Sequence, residues 1–578
     1  MIYKWKYDLP TAEEEELGKE LAKDLKISPV LGSILCHRGI KDPDEARQFF
    51  HPQLSHLHDP FLMNDMEKAV HRLNKALGRK ERIMVYGDYD VDGCTAVTLV
   101  YKFLLRFYSN IEYYIPNREE EGYGISFEGI DYAKSQNVKL IIVLDCGIKA
   151  IKEIAYAKEQ GIDFIVCDHH MPDEEMPPAY AILDAKRADN TYPYRHLSGC
   201  GVGFKLMQAF AMNNGIPFAQ LIPLMDLCAV SIAADIVPVT GENRILAYYG
   251  LKRLNTNPCV GLKAIINVCG LEGRELTMND IVFKIGPRIN ASCRVREGRK
   301  SVDLLVEKNY NEAIRKANRV NEYNEIRKNV DKEMTKEANT IVESLRDLKE
   351  RHSIVLYNEN WMMGVVGIVA SRLTEIYNLP TIILTRSGNM AIGSARSISD
   401  FNIYKAIESN KDLLLNFGGH THAVGLSLKI ENIPLFRKRL EEYVASHILP
   451  RQTEPSLTIE SEIDFKTISK KLCHELKRLS PFGPGNPKPL FCTHKVYDYG
   501  TSKVVGREQE HIKLELVDNH SNIIMNGIAF GQSSQARYIK TKRSFDICYT
   551  IEENTHKRGD IQLQIEDIKP TEEHSNDS

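Results

Sequence analysis

The chain has 578 residues, of which 43% are hydrophobic and 26% are charged, and its formal net charge is −3. This composition is that of an ordinary globular protein, and the length indicates about three or four domains rather than one core. The near-neutral charge excludes a basic surface over the whole protein, so any groove for nucleic acid must be local.

The cysteine pattern and the N-terminus both bear on location. The twelve cysteines include no CxxC pair, and several lie in apolar runs such as VLDCG and FIVCDHH, which is typical of reduced, buried thiols. The opening MIYKWKYDLPTAEEEE lacks the apolar stretch of a secretory signal, and no run of about 18 apolar residues indicates a membrane span. The sequence therefore predicts a cytoplasmic protein without a membrane contact.

After about 80 residues of mostly helical pattern, short apolar strands alternate with amphipathic stretches. The predicted strands are 82–88, 139–147, 163–170 and 179–184. Strands that are apolar on both faces and separated by helices predict a parallel sheet in a doubly wound α/β domain. Such sheets bind ligands beyond the carboxyl ends of their strands. Those ends carry Asp88, Asp145, Asp168 and Asp184.

Three further regions follow along the chain. Between Asn309 and Lys349 there is no proline or glycine, and the apolar spacing predicts one helix of about 60 Å that connects two lobes. A second α/β unit is predicted for about 352–450, and it includes the glycine-rich FGGHTHAVG. After the linker 481–489, five short alternating segments suit a small barrel such as the OB-fold, and the final TEEHSNDS has the composition of a disordered tail.

The stretch VYGDYDVDG places Asp88, Asp90 and Asp92 at alternate positions. It matches the opening of a calcium loop, but that loop needs a bidentate Glu at its twelfth position, where this chain has Leu99, and it should follow a helix rather than a strand. The alternative is a catalytic divalent-metal site. Carboxylates suit Mg²⁺ or Mn²⁺, and an added imidazole shifts the preference toward Mn²⁺.

Further candidate ligands follow other predicted elements. They are Asp145 in LDCG, the run Asp168-His169-His170, and Asp235 in SIAADIVP. A strand-ending Asp is by itself often a helix cap, and an adjacent His pair more often lies on the surface or in the core. Their joint occurrence at successive strand ends predicts one site for two cations, which need about five or six such side chains.

VYGDYDVDG, LDCG, CDHH and SIAADIVP resemble, in this order, the four motifs of the DHH phosphoesterase superfamily. FGGHTHAVG resembles the GGH signature of its companion DHHA1 domain. The stretches IPNREEEGYG, GPRINAS, GSARS and SPFGPGNPKPLF, with the long helix and the OB-like segment, are similar to the single-strand-specific exonucleases of that superfamily. The likeness covers nearly the whole chain.

The resemblance implies an α/β protein with a parallel-sheet DHH domain and a smaller α/β DHHA1 domain, joined by a long helix and followed by a C-terminal OB-like β-barrel. The expected regions are 1–80, an N-terminal helical segment packing on the DHH domain; 81–305, the DHH domain; 306–350, the connecting helix; 351–450, the DHHA1 domain; 451–570, the OB-like nucleic-acid-binding domain; and 571–578, a disordered tail.

The resemblance also implies roles for single residues. Metal ligands for two Mn²⁺ or Mg²⁺ ions are expected at Asp88, Asp90, Asp92, Asp145, His169 and Asp235. Asp145 is the expected bridge, and Asp88 is a ligand or a close support. His170 is expected to face the scissile phosphate, and Asp168 is expected to orient the imidazoles by hydrogen bonding. No Ser or Cys nucleophile with a dedicated base is evident, which disfavours a covalent intermediate.

Arg118, Ser394 and Arg396 match family positions that hold a terminal 5′ phosphate, because guanidinium groups offer bidentate contacts to phosphate oxygens. A pocket that holds the terminal phosphate places the cleaved bond at a fixed distance from the free end, which implies an exonuclease. Arg288, Asn290, Arg294 and His420 are expected to touch the backbone near the cleaved bond. The alternative is that these arginines brace the cleft between domains.

The chain departs from the family pattern at a few positions. Ser292-Cys293 replaces the usual Ala-Gly, Ala395 gives GSARS in place of GSGRS, and Val424 replaces an Ala. None of these changes removes a functional group, so they bear on the shape of the substrate pocket rather than on catalysis.

The predicted function is that of a metal-dependent hydrolase, a 5′-to-3′ exonuclease that degrades single-stranded DNA to 5′-mononucleotides in DNA recombination and repair. A helicase and a single-strand-binding protein are the expected partners. One alternative is a phosphoesterase of the same superfamily that acts on short oligonucleotides or cyclic dinucleotides, but those chains are usually shorter. A non-enzymatic replication-helicase component is a second alternative, and the intact Asp and His set argues against it.

Overall fold

The structure is a computed structural model that forms two compact units. It describes residues 3–118, 120–295, 298–345, 347–398, 401–449, 455–519, 521, 523–541, 543–554 and 559–571. One unit comprises Met1–Gln53, Glu454–Phe482 and Asn486–Ser578, and the other comprises Leu54–Thr453 with Gly483–Gly485. Apart from Thr571, the predicted tail lies outside the described residues.

The chain begins with a short strand and three helices of the first unit. These are β1 (Lys4–Tyr7), α1 (Ala12–Leu25), α2 (Pro29–His37) and α3 (Pro43–Phe50). Thr11, Ser28 and Asp42 cap the three helices with their side-chain oxygens, which satisfy backbone N–H groups that lack an intrahelical partner.

The predicted N-terminal segment, 1–80, is divided by the structure. Residues 1–53 belong to the same unit as the C-terminal strands, and Leu21, Leu31 and Phe50 share a buried core with them. The structure therefore groups this part with the C-terminal strands, whereas the prediction grouped it with the DHH domain. The apolar faces of its helices lie in one core with the C-terminal strands. Helical periodicity shows which face of a helix is apolar, but it does not show which part of the chain covers that face. The remainder, with α4 (Met66–Gly78), does pack into the core of the second unit.

The first sheet of the second unit is parallel, in the order β3-β2-β4-β5-β6. Its strands are β2 (Arg82–Gly87), β3 (Ile111–Tyr114), β4 (Val138–Leu144), β5 (Asp163–Cys167) and β6 (Ala181–Leu183). Alternate side chains of β2 enter different cores, with Ile83 and Val85 in one and Met84 and Tyr86 in the other. The predicted doubly wound sheet is confirmed. The edge strand β3 was missed because only its first residue is fully buried.

The helices of this region are α5 (Val91–Leu104), α6 (Phe127–Ser135), α7 (Ile151–Glu159), α8 (Gly199–Asn213), α9 (Met225–Ala234), α10 (Gly241–Thr256), α11 (Val260–Val268), α12 (Met278–Asp280), α13 (Gly286–Val295) and α14 (Arg299–Leu305). Helices α5 and α8 pack on one face of this sheet, and α6 and α7 pack on the other. A π-helix, Ile281–Ile285, lies between α12 and α13. Helices α5, α8 and α9 are buried along almost their whole length, and they carry or support the candidate site.

The predicted long helix is α15 (Tyr310–Glu343), whose 34 residues span about 51 Å. Ala313 and Ala317 lie in the core of the first sheet, whereas Ala338 and Val342 lie in a core with the following α/β region. The helix therefore connects two cores, as expected. It ends earlier than predicted, because Ser344 caps it and Leu348–Glu350 forms a separate 3-10 turn.

The second sheet of this unit has the order β10-β11-β9-β8-β7, with β7 and β8 parallel and the other pairs antiparallel. Its elements are β7 (Ile354–Tyr357), α16 (Val366–Tyr377), β8 (Thr381–Ser387), β9 (Met390–Arg396), α17 (Ile403–Glu408), β10 (Leu414–Gly419), β11 (Ala423–Lys429) and α18 (Ile433–His447). Strand β9 carries Ser394 and Arg396, and His420 follows β10 directly.

The C-terminal strands complete the first unit. They are β12 (Ser456–Ile459), β13 (Ser461–Glu462), β14 (Phe491–Asp498), β15 (Lys503–Val505), β16 (His511–Asp518), β17 (Ile524–Ala529), β18 (Phe545–Glu553) and β19 (Ile561–Pro570), with helices α19 (Lys470–Lys477) and α20 (Ala536–Ile539). The order β14-β18-β19-β17-β16, closed by pairing of β14 with β16, is a five-stranded barrel. The predicted OB-like barrel is confirmed. Among the described residues, no helix is both long and apolar enough to cross a membrane.

Candidate metal centre

The candidate ligands converge at one edge of the parallel sheet. Asp88 follows β2, Asp145 follows β4, and His169 lies two residues after β5. Because the strands are parallel, their carboxyl ends meet at the same edge. Asp90 and Asp92 lie at the start of α5, and Asp235 follows α9. The strand ends and these two helices therefore bring the six side chains to one place.

Distances between side-chain atoms define a compact cluster. His169 Nε2 lies 3.1 Å from Asp145 Oδ1, 3.6 Å from Asp235 Oδ2 and 3.8 Å from Asp92 Oδ2. Three sets of potential ligand atoms have all members within 4.8 Å of one another. The sets are Asp88 with Asp90 and Asp145, Asp92 with His169 and Asp235, and Asp145 with His169 and His170. All six predicted ligands occur in these sets, and Asp145 occurs in two of them.

Because the carboxylates of the cluster are buried and close together, their ionised forms are unfavourable unless positive charge is bound among them. Burial and then neighbouring carboxylates raise the pKa of Asp145 and Asp235 well above the usual range. The same two causes raise the pKa of Asp92 to about 6. Burial also lowers the pKa of His169 to about 3, so its imidazole is neutral and has a free lone pair. A cation among these groups would offset the repulsion between the carboxylates.

Unpartnered atoms support the same conclusion. Asp88 Oδ1 and both ring nitrogens of His169 are buried and have no hydrogen-bond partner among the described residues. Buried polar atoms without partners are costly, and a bound ion is one recognised reason for them. Carboxylate and imidazole donors are those that Mn²⁺ accepts, and carboxylates alone suit Mg²⁺. The residues present therefore fit a divalent-metal site.

The N-terminus of α8 holds Asp92 in place. The backbone N–H groups of Gly199 and Cys200 donate to the Asp92 carboxylate at 2.7 and 2.8 Å, and the Ser231 hydroxyl donates at 2.6 Å. A Cβ on Gly199 would lie 2.6 Å from Asp145 Cβ, so only glycine fits between the two carboxylates. Sequence reasoning missed Gly199 and Ser231, although LSGCGVG is the kind of glycine-rich helix start that could have drawn attention.

Asp145 has a backbone that non-glycine residues seldom adopt. Its φ is +60°, and its N–H donates to the Cys167 carbonyl of the neighbouring strand at 2.9 Å. Left-handed conformations of this kind often occur at functional sites. Here the conformation turns the carboxylate away from the strand direction at the sheet edge. By contrast, Asp184, the fourth strand-end carboxylate, accepts from the Lys186 N–H at 2.7 Å and belongs to none of the three ligand sets.

Asp168 positions His170. One oxygen, Oδ1, accepts from the backbone N–H groups of His169 and His170 and lies 2.7 Å from His170 Nδ1, while Oδ2 accepts from the Ile148 N–H at 2.9 Å. Although burial opposes it, the charge of Asp168 raises the pKa of His170 to about 9, so the ring is protonated at neutral pH. Asp168 makes no such contact with the His169 ring, and in this respect it differs from the predicted role of orienting both imidazoles.

Two further rings surround His170. The His420 ring stacks on it with centroids 5.4 Å apart and an interplanar angle of 10°. The Tyr123 hydroxyl lies 3.4 Å from His170 Nε2. His420 was predicted from the GGH motif, whereas Tyr123 was not singled out. The loop that carries Tyr123 is held by Glu121, whose carboxylate accepts from the Asn117 N–H at 2.6 Å and from the Tyr114 hydroxyl at 3.0 Å.

Three arginines form a positively charged group without a counter-ion. The Arg118 guanidinium lies over the Tyr89 ring at 5.2 Å, and Arg294 donates to the Gly364 carbonyl at 2.7 Å. Within the described part of the chain, no carboxylate lies within 4.0 Å of Arg118, Arg294 or Arg396. Burial, followed by the charges of the other two, lowers the pKa of Arg396 to about 10. Clustered cations without a partner are the expected arrangement of an anion site.

Small residues leave room around this group. The Arg396 side chain donates to the Ser394 hydroxyl and to the Ala395 carbonyl. A Cβ on Gly367 of α16 would lie 2.9 Å from an Arg396 nitrogen and 3.2 Å from the Ser394 hydroxyl oxygen. Sequence reasoning predicted Ser394 and Arg396 but not Gly367, because an isolated glycine in a helix pattern gives no functional signal.

The other predicted substrate residues differ in their surroundings. Arg288 donates to the Asn321 side chain and to the Lys284 carbonyl, both at 2.8 Å, so it links α13 to α15. Asn290 Oδ1 is buried and has no partner among the described residues, which leaves it available for a ligand.

Two departures from the family pattern lie in a core. Ala395 and Val424 are paired across β9 and β11, and both are buried. Because successive side chains of a strand point to opposite faces, Ser394 and Arg396 project away from Ala395. These two substitutions therefore affect packing inside the second sheet rather than the shape of the pocket.

Known proteins resemble the chain over most of its length. Family models match residues 82–232 (DHH family, N-terminal domain), 350–446 (DHHA1 domain) and 459–567 (RecJ OB domain). The single-stranded-DNA-specific exonuclease RecJ of Bacillus subtilis is 34% identical over 92% of this chain and 66% of its own, a little under two thirds of its length. The Escherichia coli protein of the same name is 32% identical over 93% of this chain and 95% of its own.

Solved structures agree with this assignment. RecJ from Thermus thermophilus in complex with Mn²⁺ has a TM-score of 0.84 at 26% identity, covering 99% of this chain and 80% of that one. Its Mg²⁺ complex has a TM-score of 0.76 at 24% identity, covering 99% and 79%, and shows the same fold. The ligand cluster, the three domain matches and the full-length relatives together lead to one conclusion: the chain belongs to the RecJ family of single-stranded-DNA-specific exonucleases.

Proposed function

We propose that this exonuclease hydrolyses single-stranded DNA from the 5′ end, releases 5′-mononucleotides and uses two divalent cations, Mn²⁺ or Mg²⁺. The observation that carries the proposal is the nearness of the metal cluster to the arginine group within one unit. The Arg118 guanidinium of that group lies 5.2 Å from the ring centroid of Tyr89, the residue between the expected ligands Asp88 and Asp90, and its charge also lowers the pKa of Arg396. A cleavage centre beside an anion site suits an enzyme that counts inward from a terminal phosphate.

Six side chains would hold the cations: Asp88, Asp90, Asp92, Asp145, His169 and Asp235. Asp145 and His169 each belong to two of the ligand sets, and Asp145 is the carboxylate that would serve both cations, as the resemblance implies. When bound, the cations supply positive charge at the phosphodiester and lower the pKa of water at the site. The Mn²⁺ complex of the T. thermophilus protein supports this choice of metal.

His170 would act on the phosphate directly. Its Nδ1 side is occupied by Asp168, so a protonated ring presents Nε2 with a hydrogen to donate. A donor at this position stabilises charge on the phosphate oxygens and can protonate the leaving oxygen. Stacking of His420 restricts rotation of the His170 ring, so the donor is held in one direction.

The arginine group would bind the terminal 5′ phosphate. Arg118, Arg294 and Arg396 together offer several N–H donors to phosphate oxygens, and the Ser394 hydroxyl adds another polar contact. A free 5′ phosphate carries more charge than an internal phosphodiester, so the group favours a chain end. This preference gives the 5′-to-3′ direction.

The barrel unit would extend the contact with single-stranded DNA, as OB-folds do. A helicase that unwinds DNA and a single-strand-binding protein that coats it are the partners that suit such an enzyme in recombination and repair. All twelve cysteines are free, which supports a reducing compartment such as the cytoplasm.

The test uses purified protein, Mn²⁺ and single-stranded DNA labelled at either end, with matched duplex and dinucleotide controls. Early release of the 5′ label as a mononucleotide, slow loss of the 3′ label and an intact duplex are expected. Early loss of the 3′ label would overturn the direction. Hydrolysis of the dinucleotide alone would instead indicate a small phosphoesterase.

A second substrate pair tests the arginine group. DNA with a 5′ phosphate should be cleaved faster than DNA with a 5′ hydroxyl, and Arg396→Gln should remove most of that difference. Equal rates on both ends with the wild-type protein would contradict a 5′-phosphate site.

A further inference from the structure

Ile236 follows the metal-cluster residue Asp235 and has an unusual backbone. Its φ is +58°, in the left-handed region, directly after the end of α9. Helices often end with a residue in this conformation, but it is usually glycine or asparagine. For a β-branched side chain the conformation is a genuine outlier, so the chain carries strain that a glycine would relieve.

Contacts on both sides keep this backbone in place. Before Ile236, the Asp235 N–H donates to the Ser231 carbonyl within α9 at 2.9 Å. After it, the Pro238 carbonyl accepts from the Tyr194 hydroxyl at 3.1 Å and from the Asn243 amide at 3.0 Å. These hydrogen bonds hold the chain on both sides of residue 236, and none of them involves the isoleucine side chain.

The isoleucine side chain is also exposed. It is 63% accessible, although buried Val239 follows only three residues later. Its neighbour Asp235 reaches His169 Nε2 at 3.6 Å, so the backbone of residue 236 directly follows the metal cluster. Two other exposed apolar side chains belong to residues at His170, namely Met171 at 56%, the next residue in sequence, and Tyr123 at 59%, whose hydroxyl lies 3.4 Å from His170 Nε2. Exposed apolar side chains at a polar site are a feature of ligand-binding surfaces.

We propose that Ile236 determines specificity by packing against the uncharged part, base or sugar, of the nucleotide whose phosphate lies at the metal centre. The proposal rests on the proposed function, because that function places a nucleotide there. An unpaired strand offers base faces that pairing and stacking cover in a duplex, so a contact to the base favours single-stranded substrates. The occupant is the DNA substrate itself rather than a protein partner.

Substitutions at residue 236 distinguish an effect of the side chain from an effect of the backbone conformation. Ile236→Asn and Ile236→Gly both suit the left-handed backbone, so the protein should melt at the same or a higher temperature. Both should raise KM for single-stranded DNA about 10-fold, because the apolar contact is lost. Ile236→Val keeps a β-branched apolar side chain and should stay within about 2-fold of the wild-type KM.

Controls distinguish this role from a structural one. Lys80 is exposed, has φ +57° and lies away from the cluster, so Lys80→Gly relieves the same kind of strain and should leave KM unchanged. Mn²⁺ affinity, measured by titration calorimetry, should stay within about 2-fold of wild type in all residue-236 variants. An unchanged KM in Ile236→Asn and Ile236→Gly would overturn the proposal. So would a loss of Mn²⁺ affinity, because Ile236 would then act through Asp235.

A last substrate identifies the contacted part of the nucleotide. If the contact is to the base, an abasic site at the second nucleotide, whose 5′ phosphate is the one cleaved, should raise the wild-type KM and abolish the difference from Ile236→Gly. If the contact is to the sugar, the difference should persist. Wild-type protein that fails to cleave single-stranded DNA would refute the proposed function, and this outcome is separate from any comparison among variants.

Discussion

At the residue scale, the metal centre depends on carboxylates whose neighbours fix both position and charge. Asp92 accepts three hydrogen bonds, from Gly199, Cys200 and Ser231, which leaves it little freedom to rotate. Asp168, by contrast, accepts from backbone N–H groups and contacts His170. Asp92 and Asp168 are both buried at this edge of the sheet, but their tasks differ. Asp92 belongs to the cation site, whereas Asp168 supports His170, the proposed acid.

Removal of the Asp168 charge should change the pH dependence. The wild-type rate should fall as pH rises through about 9, because His170 then loses its proton. In Asp168→Asn the pKa of His170 should fall, so this loss should occur at lower pH, and the rate at pH 8 should fall at least about 100-fold. A pH profile of kcat/KM measures the shift. An unchanged alkaline limb would show that His170 is not the acid.

The acidic and histidine residues of the site could be predicted from the sequence, because most of them stand directly after predicted apolar strands. Gly199, Gly367 and Glu121 were not predicted. Their roles depend on close approach or on loop geometry, and although LSGCGVG marks a glycine-rich helix start, it does not show that Asp145 lies against Gly199. Arg288 shows a related case, because its contacts with Asn321 and Lys284 join distant parts of the chain in a way that the motif does not indicate.

At the element scale, α8 positions the centre through its first turn. Its N-terminal N–H groups donate to Asp92, and Gly199 leaves space for Asp145. Backbone N–H groups at a helix start favour negative charge, so α8 stabilises an ionised carboxylate inside the protein. The connecting helix α15 has a different task, because it contributes side chains to two cores. Apolar spacing predicted its existence, but its end depends on the Ser344 cap.

An alanine pair on α8 tests this positioning. In Gly199→Ala the new Cβ would lie 2.6 Å from Asp145 Cβ, so Asp145 must move, and Mn²⁺ affinity should fall at least about 10-fold. Gly201→Ala is the matched control, because its Cβ meets nothing closer than 3.4 Å. Titration calorimetry measures both. Equal Mn²⁺ affinity in the two variants would contradict the close packing between α8 and Asp145.

At the scale of the whole molecule, the first and last parts of the chain belong to one compact unit. Residues 1–53 complete the unit that holds the C-terminal barrel, with β1 paired to β12. The prediction placed this segment on the DHH domain because helical periodicity shows which face is apolar but not which partner covers it. The parallel sheet and the barrel were predictable, since each has strands that are contiguous in sequence.

A substitution at Arg38 tests this division. Arg38 donates to both oxygens of Glu460 at 2.8 Å and also to Asn486 and the Pro487 carbonyl. Arg38→Ala leaves the largely buried Glu460 unpaired and should destabilise that unit by about 3 kcal/mol. In calorimetry, the unfolding transition of that unit should move to lower temperature. Mn²⁺ affinity should stay unchanged. A fall in Mn²⁺ affinity would show that residues 1–53 support the metal centre.

The central claim, that buried carboxylates hold cations which hydrolysis requires, is tested most directly by Mn²⁺ titration of wild-type protein and Asp145→Asn. Wild-type protein should bind two ions per chain, whereas Asp145→Asn should lose at least one ion and more than about 100-fold in rate. Because the pKa of Asp145 is raised in the fold, its ionised form destabilises the metal-free protein as pH rises. Metal-free Asp145→Asn should therefore melt above metal-free wild type at pH 8. Wild-type stoichiometry and rate in Asp145→Asn would contradict the account.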